Sequence, residues 1–177
     1  QSNFNSSKEA SFKNGYSVEL FDTQIKNQTL KEYLIENLSI FSFSDRDQII
    51  FLVLIDSIND DGYLTEPLKN IIEIIPFEPK AKLKELEDIL ILIQNSSSPG
   101  IGARNLSECL FLQLKVIKGN KKLNDIAFKI CNKFLNLLGN KNYSLLKNNL
   151  KCNDSDLNEA IKLIKSLNPK PGSIFQK

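Results

Sequence analysis

Three stretches of this chain hold residues whose types and spacing could do chemistry. In Ser57–Leu68, SINDDGYLTEPL, Gly62 can be set at the sixth position of a calcium loop, which brings Asn59 and Asp61 to oxygen-ligand positions. Calcium also needs a carboxylate at the first position and a bidentate glutamate at the twelfth. Ser57 and Leu68 stand there instead. The segment therefore reads as a tight turn, with Gly62 supplying a positive φ and Tyr63 and Leu64 turning into the core. The second stretch is PGIGARN, Pro99–Asn105. A dinucleotide fingerprint would need a third glycine where Asn105 stands, and a β-strand ahead of the turn. A Walker loop would need Gly-Lys-Ser/Thr. The plain reading is a chain reversal between packed helices, allowed by Gly100 and Gly102. Arg104 lies in a first helical turn, where a cation opposes the dipole. That predicts a partner, either an internal acceptor or another protein. Third, Asp45, Asp47, Asp60 and Asp61 could pair for acid–base work. They fall at a helix start and in a turn, where such residues are common as caps.

Composition narrows the chemistry further. The 177 residues include no histidine, tryptophan or methionine. Without histidine the usual general base and the commonest metal ligand are missing. Cys109, Cys131 and Cys152 are too far apart for a C-x-x-C site, and Cys109 and Cys131 fall on apolar helix faces as small buried hydrophobes. The expectation is no enzyme, no cofactor and no metal. The net charge is only +2, and Arg46 and Arg104 are the sole arginines. A strong phosphate binder is not expected. Lys115, Lys118, Lys121 and Lys122 make a modest patch, read either as solvated surface or as a contact for nucleic acid or an acidic protein face. There is no signal peptide and no membrane-length apolar run. The missing methionine predicts a fragment of a longer chain, and free thiols fit the cytoplasm.

The elements that would position these residues are all helical. Gln1–Asn14 has little to bury and reads as a leader, and Gly15–Asn27 is ambiguous. Thr29–Leu38 places Leu30, Tyr33, Leu34 and Leu38 on one face. Ser44 caps a helix to Ile58 that is apolar almost all round and so central. Thr65 is expected to cap the next helix, with Pro67 in its first turn. Ala81–Asn95 follows, burying Leu83, Leu86, Leu90 and Ile93. Asn105 and Glu108 form a capping pattern for a helix burying Leu106, Cys109, Leu110, Leu114 and Ile117, with Gly119 and Asn120 ending it. Further helices span about Asn124–Leu138, closed by Gly139, then Tyr143–Leu150 and Ser155–Leu167. The expected fold is all-α: seven or eight short helices in a compact bundle. It divides into a leader 1–28, a helical domain 29–172 separable into subdomains 29–98 and 99–172, and a tail 173–177.

Three stretches, FSDRDQIIFLVLIDSINDDGYLTEPL, PGIGARNLSECLFLQL and LIKSLNPKPG, together resemble the core-binding region of the sigma-54 family of bacterial transcription factors. The similarity runs over roughly Thr29–Gly172. Asn105 departs from the family's usual aspartate but can still cap. The motif residues are Asp45, Asp61, Gly62, Tyr63, Leu64, Pro99, Gly100, Gly102, Ala103, Arg104, Leu106, Cys109, Leu110, Gln113, Leu114, Pro169, Pro171 and Gly172. The resemblance implies roles that are structural or polymerase-facing, left open residue by residue. It implies a domain that docks a sigma factor on core RNA polymerase in the bacterial cytoplasm, and on the nucleoid through the polymerase. Promoter DNA and an ATP-driven activator would be partners only of the full-length protein, whose glutamine-rich region, helix-turn-helix and promoter-reading box are absent here. The fragment is expected to be a monomer and not to read a promoter alone. The rival reading is a stand-alone helical nucleic-acid-binding module.

Overall fold

The computed structural model describes residues 28–38, 41–76 and 80–176. Apart from Gln28, the expected leader lies outside them. Among the described residues the fold is all-α, with eight helices, a closing 3-10 turn and two isolated backbone bridges in place of any sheet.

Helix α1, Leu30–Leu38, opens on a full capping box. Thr29 Oγ1 accepts the Glu32 N–H at 3.2 Å, and Glu32 Oε2 accepts the Thr29 N–H at 2.7 Å. Helix α2, Asp45–Asp56, is capped by Ser44 as the sequence predicts. It buries Ile50, Phe51, Leu54 and Ile55, but it is not buried all round. Ile49 is 36% and Leu52 43% exposed, because neighbours cover only one side. Helix α3, Leu68–Ile74, corrects a second expectation. Its N-cap is Pro67, and Thr65 instead sends its hydroxyl 2.9 Å to the Ser57 carbonyl, closing the turn before the helix. Helix α4, Leu83–Ser96, buries Leu86, Ile89, Leu90 and Ile93. Leu83, at the first helical position, stays exposed.

Helix α5, Leu106–Val116, is capped by Asn105, whose Oδ1 accepts the Glu108 N–H at 2.9 Å. It buries Cys109, Leu110, Gln113 and Leu114. Leu106, expected inside, is 41% exposed. A side chain in a helix leans toward the N-terminus, and at the first position no earlier helical turn lies beneath it. Asn120 does not end α5 but caps α6. Helix α6 runs Lys121–Lys129, through a π segment Ile130–Phe134, into Leu135–Gly139. Gly139 remains inside the helix, and Lys141 takes the left-handed position at φ 56°. Helices α7, Tyr143–Leu150, and α8, Asp154–Lys165, follow; α8 is capped by Asn153. A 3-10 turn, Pro171–Phe175, closes the described chain.

Two apolar cores result. The first gathers α1–α4 with Ile101 and, from the far end of the chain, Phe175. Phe175 is 5% exposed and its ring centroid lies 4.7 Å from that of Tyr33. The second gathers Leu110 and Leu114 of α5 with α6, α7 and α8. Across the first core, Arg46 of α2 grips Glu85 of α4 with two hydrogen bonds, 2.8 and 3.3 Å. Those bonds hold the Glu85 carboxyl below the ordinary glutamate value.

Replacing fully buried Leu90 by Ala is expected to cost about 2–5 kcal/mol, whereas Leu106→Ala should change stability by no more than about 0.5 kcal/mol; urea unfolding followed by far-UV circular dichroism measures both. Because Glu85 titrates lower when folded, its contribution is present above the unfolded-state pKa and fades as pH falls through the folded one. The stability of Glu85→Gln should therefore vary less between neutral and acidic pH than that of the parent chain, in paired urea titrations.

Candidate functional site

The three motif stretches lie far apart in sequence and meet at one seam between the two cores. Its centre is the turn after α2. Gly62 has φ 96°, a conformation natural only to glycine, and its carbonyl accepts the Gly102 N–H at 2.8 Å. Two residues on, the Leu64 N–H donates to the Ala103 carbonyl at 2.9 Å, and Tyr63 and Ala103 form a parallel bridge. From the C-terminal side, the Gly172 N–H donates to the Asp61 carbonyl at 3.0 Å, and Lys170 pairs with the Asp61 carboxylate at 3.0 Å. Asn59 Oδ1 accepts the Tyr63 N–H at 2.9 Å. Both side chains that matched a calcium pattern thus already serve the turn itself.

Side chains tie the same three strands of backbone. The Tyr63 hydroxyl donates to the Pro169 carbonyl at 2.5 Å. Burial pushes its pKa above the ordinary tyrosine value, with the neighbouring Cys109 adding to the shift. Gln113, 9% exposed, reads Asn168 at both backbone positions: its amide donates to the carbonyl at 2.7 Å, and its oxygen accepts the N–H at 2.8 Å. Gln94, also 9% exposed, donates to the Gly102 carbonyl at 2.9 Å. These are the two buried polar side chains of the core among the described residues, and each finds its partners in peptide groups of the seam, as burial of an amide demands. Cys109 is fully buried beside Gln113, and burial raises its thiol pKa. Burial likewise takes the Cys131 thiol to about 11. Neither is poised as a nucleophile at neutral pH.

The seam brings together Asp61, Gly62, Tyr63, Leu64, Gly100, Gly102, Ala103, Cys109, Gln113, Pro169, Pro171 and Gly172. Leu110 and Leu114 belong to the second core. Asp45, Pro99 and Leu106 lie exposed on the outside. Arg104 has an internal partner: its guanidinium sits 3.3 Å from Glu108 Oε1, while Glu108 Oε2 accepts its N–H at 2.7 Å. With Gly102 and Arg104 N–H groups both engaged, the glycine turn serves the chain's own backbone. Sequence reasoning missed Gln94 and Phe175, and placed Asn168 only within the LIKSLNPKPG stretch, without its tie to Gln113. Gln94 did leave a trace, as a lone amide on the apolar face of α4; a phenylalanine near the terminus left none. Among the described residues no group of three or more Cys, Asp or Glu could hold a metal, and no helix is long and apolar enough to cross a membrane.

The closest approach is at Gly172. A β-carbon there would overlap the Asp60 carbonyl oxygen and lie 2.7 Å from the Gly62 nitrogen, both backbone atoms that cannot swing aside. Gly172→Ala should therefore destabilise by about 3 kcal/mol, the upper end for overpacking. Gly119→Ala, where the nearest atom to an added β-carbon is 3.9 Å away, is the control and should lie within about 1 kcal/mol of the parent in thermal melts.

The sequence matches the family model described as Sigma-54 factor, core binding domain, over residues 19–177. The chain is 39% identical over 146 residues to an RNA polymerase sigma-54 factor of Pseudomonas aeruginosa, covering 82% of this chain and 29% of that protein. It is 38% identical to one from Azotobacter vinelandii over the same length. With the Escherichia coli factor it shares 34% identity over 149 residues, 84% of this chain and 31% of the relative. The chain thus spans about a third of the length of the curated relatives it matches. A matched domain, and a seam built from the three motifs that suggested it, lead to one conclusion: this chain belongs to the sigma-54 family, through its core-binding domain.

Proposed function

We propose that this chain docks a sigma-54 type initiation factor on core RNA polymerase and catalyses no reaction itself. The observation that carries the reading is the match to the core-binding family model across residues 19–177. The geometry is consistent with a docking scaffold. Most motif residues are spent inside, on a seam that fixes two helical cores, and outer helix faces remain for a partner. On this reading Gly62, Gly102, Gln113 and Gly172 are structural. Asp45, Pro99, Arg104, Leu106 and Pro169 are the motif residues that reach the surface and can face the polymerase. Promoter DNA and the ATP-driven activator are engaged by the longer protein in the bacterial cytoplasm, and this segment acts as a monomer.

Mixed with core polymerase, the purified chain is expected to comigrate on size exclusion, and mixed with duplex DNA at several salt concentrations it should elute alone. Tight, salt-sensitive binding to DNA without polymerase would instead identify a nucleic-acid module. Arg104→Glu separates two roles: a folded variant that no longer comigrates makes Arg104 an interface residue, and one that melts early makes it structural.

A further inference from the structure

A groove of about 360 Å³ opens on the second core, where the turn after α5 meets α6 and α8. Its aliphatic lining is Ile117, Leu123 and Leu163, all half-buried, and Val116 beside it is 60% exposed. The charged residues of the lining are Lys118 and Lys162 against Glu159. Among the described residues none of these three has an ion-pair partner. Lys121 at the start of α6 and Lys165 in the last turn of α8, both exposed, follow these lysines in sequence. The groove is built rather than frayed. Asn124 donates to the Ile117 carbonyl at 3.2 Å, the Ile117 N–H donates to the Leu114 carbonyl at 3.3 Å, and Asn120 caps α6 through the Lys122 N–H at 3.0 Å.

An aliphatic floor under a cationic rim asks for two things at once. A nucleic-acid strand would supply phosphates for the lysines, but its bases need aromatic platforms, and the lining has no aromatic ring and no arginine. A protein segment with a branched aliphatic anchor flanked by carboxylates satisfies both floor and rim. Resting on the docking reading above, we infer that this groove receives an acidic, aliphatic segment of core polymerase.

The test is the affinity of the 177-residue chain for core polymerase, by biolayer interferometry across a salt series. Lys118→Glu with Lys162→Glu should weaken binding about tenfold and flatten its salt dependence. Val116→Ser should weaken it about threefold and leave the salt dependence intact. All three side chains are exposed, so circular dichroism and melting temperature should stay at parental values. The reversals Lys69→Glu with Lys133→Glu control for net charge and should bind as the parent does. Parental affinity in both groove variants, or an equal loss in the control, overturns the groove assignment while leaving the docking function intact. So does a lysine-dependent affinity for duplex DNA that leaves polymerase binding unchanged. Failure of the unsubstituted chain to bind polymerase overturns the groove and the docking function together.

Discussion

The structure depends on one steric constraint: at Gly172 and Gly62 two lengths of backbone approach so closely that no side chain fits between them. The Gly172 N–H reaches the Asp61 carbonyl, and Gly62 in turn offers its own carbonyl to Gly102. Three segments, separated by some forty and seventy residues, are thereby joined through main-chain groups. Apolar packing could hold each core by itself, because burial is proportional to area and indifferent to direction. It could not set the angle or the register at which one core meets the other. Directional peptide hydrogen bonds, drawn close by glycine, do that.

The seam also shows how a polar interior is made safe. Peptide groups at turns lack the regular ladder of a helix, and leaving them buried without partners is costly. Gln113 and Gln94 answer this with the one side chain that both donates and accepts on a flexible stem. The same logic recurs in α6. The π segment breaks the usual spacing of helical hydrogen bonds, and the Ser107 hydroxyl of α5 reaches the Cys131 carbonyl at 2.5 Å. An irregular helix is thus pinned to its neighbour at the point of irregularity.

Much of this was legible in the sequence. Caps, breakers and helical periodicity together located the eight helices of the described residues, and the Ser44 and Asn105 caps fell where short polar residues precede apolar runs. Gly62 announced its positive φ through the residues around it. What was not legible follows from physics that one sequence window does not contain. Leu106 has the period of a core residue but the position of a first-turn residue, and position wins. Thr65 has a capping side chain, yet a nearer carbonyl claims it. Asn120 can end one helix or start another, and nothing local decides. Phe175 finds its partner Tyr33 more than a hundred residues earlier, a contact only the folded seam creates. As for the site, the motif residues could be named from the sequence, but not which of them lie within the seam and which outside it.

The placement of Tyr63 has an experimental corollary. The chain contains four tyrosines and no tryptophan, so its near-ultraviolet signal comes without the usual dominant indole band. One of those phenols is anchored across the seam to the Pro169 carbonyl. Separation of the two cores would return that phenol to water and alter its absorbance and emission. The molecule carries an intrinsic optical gauge of its own internal alignment, readable without any added dye.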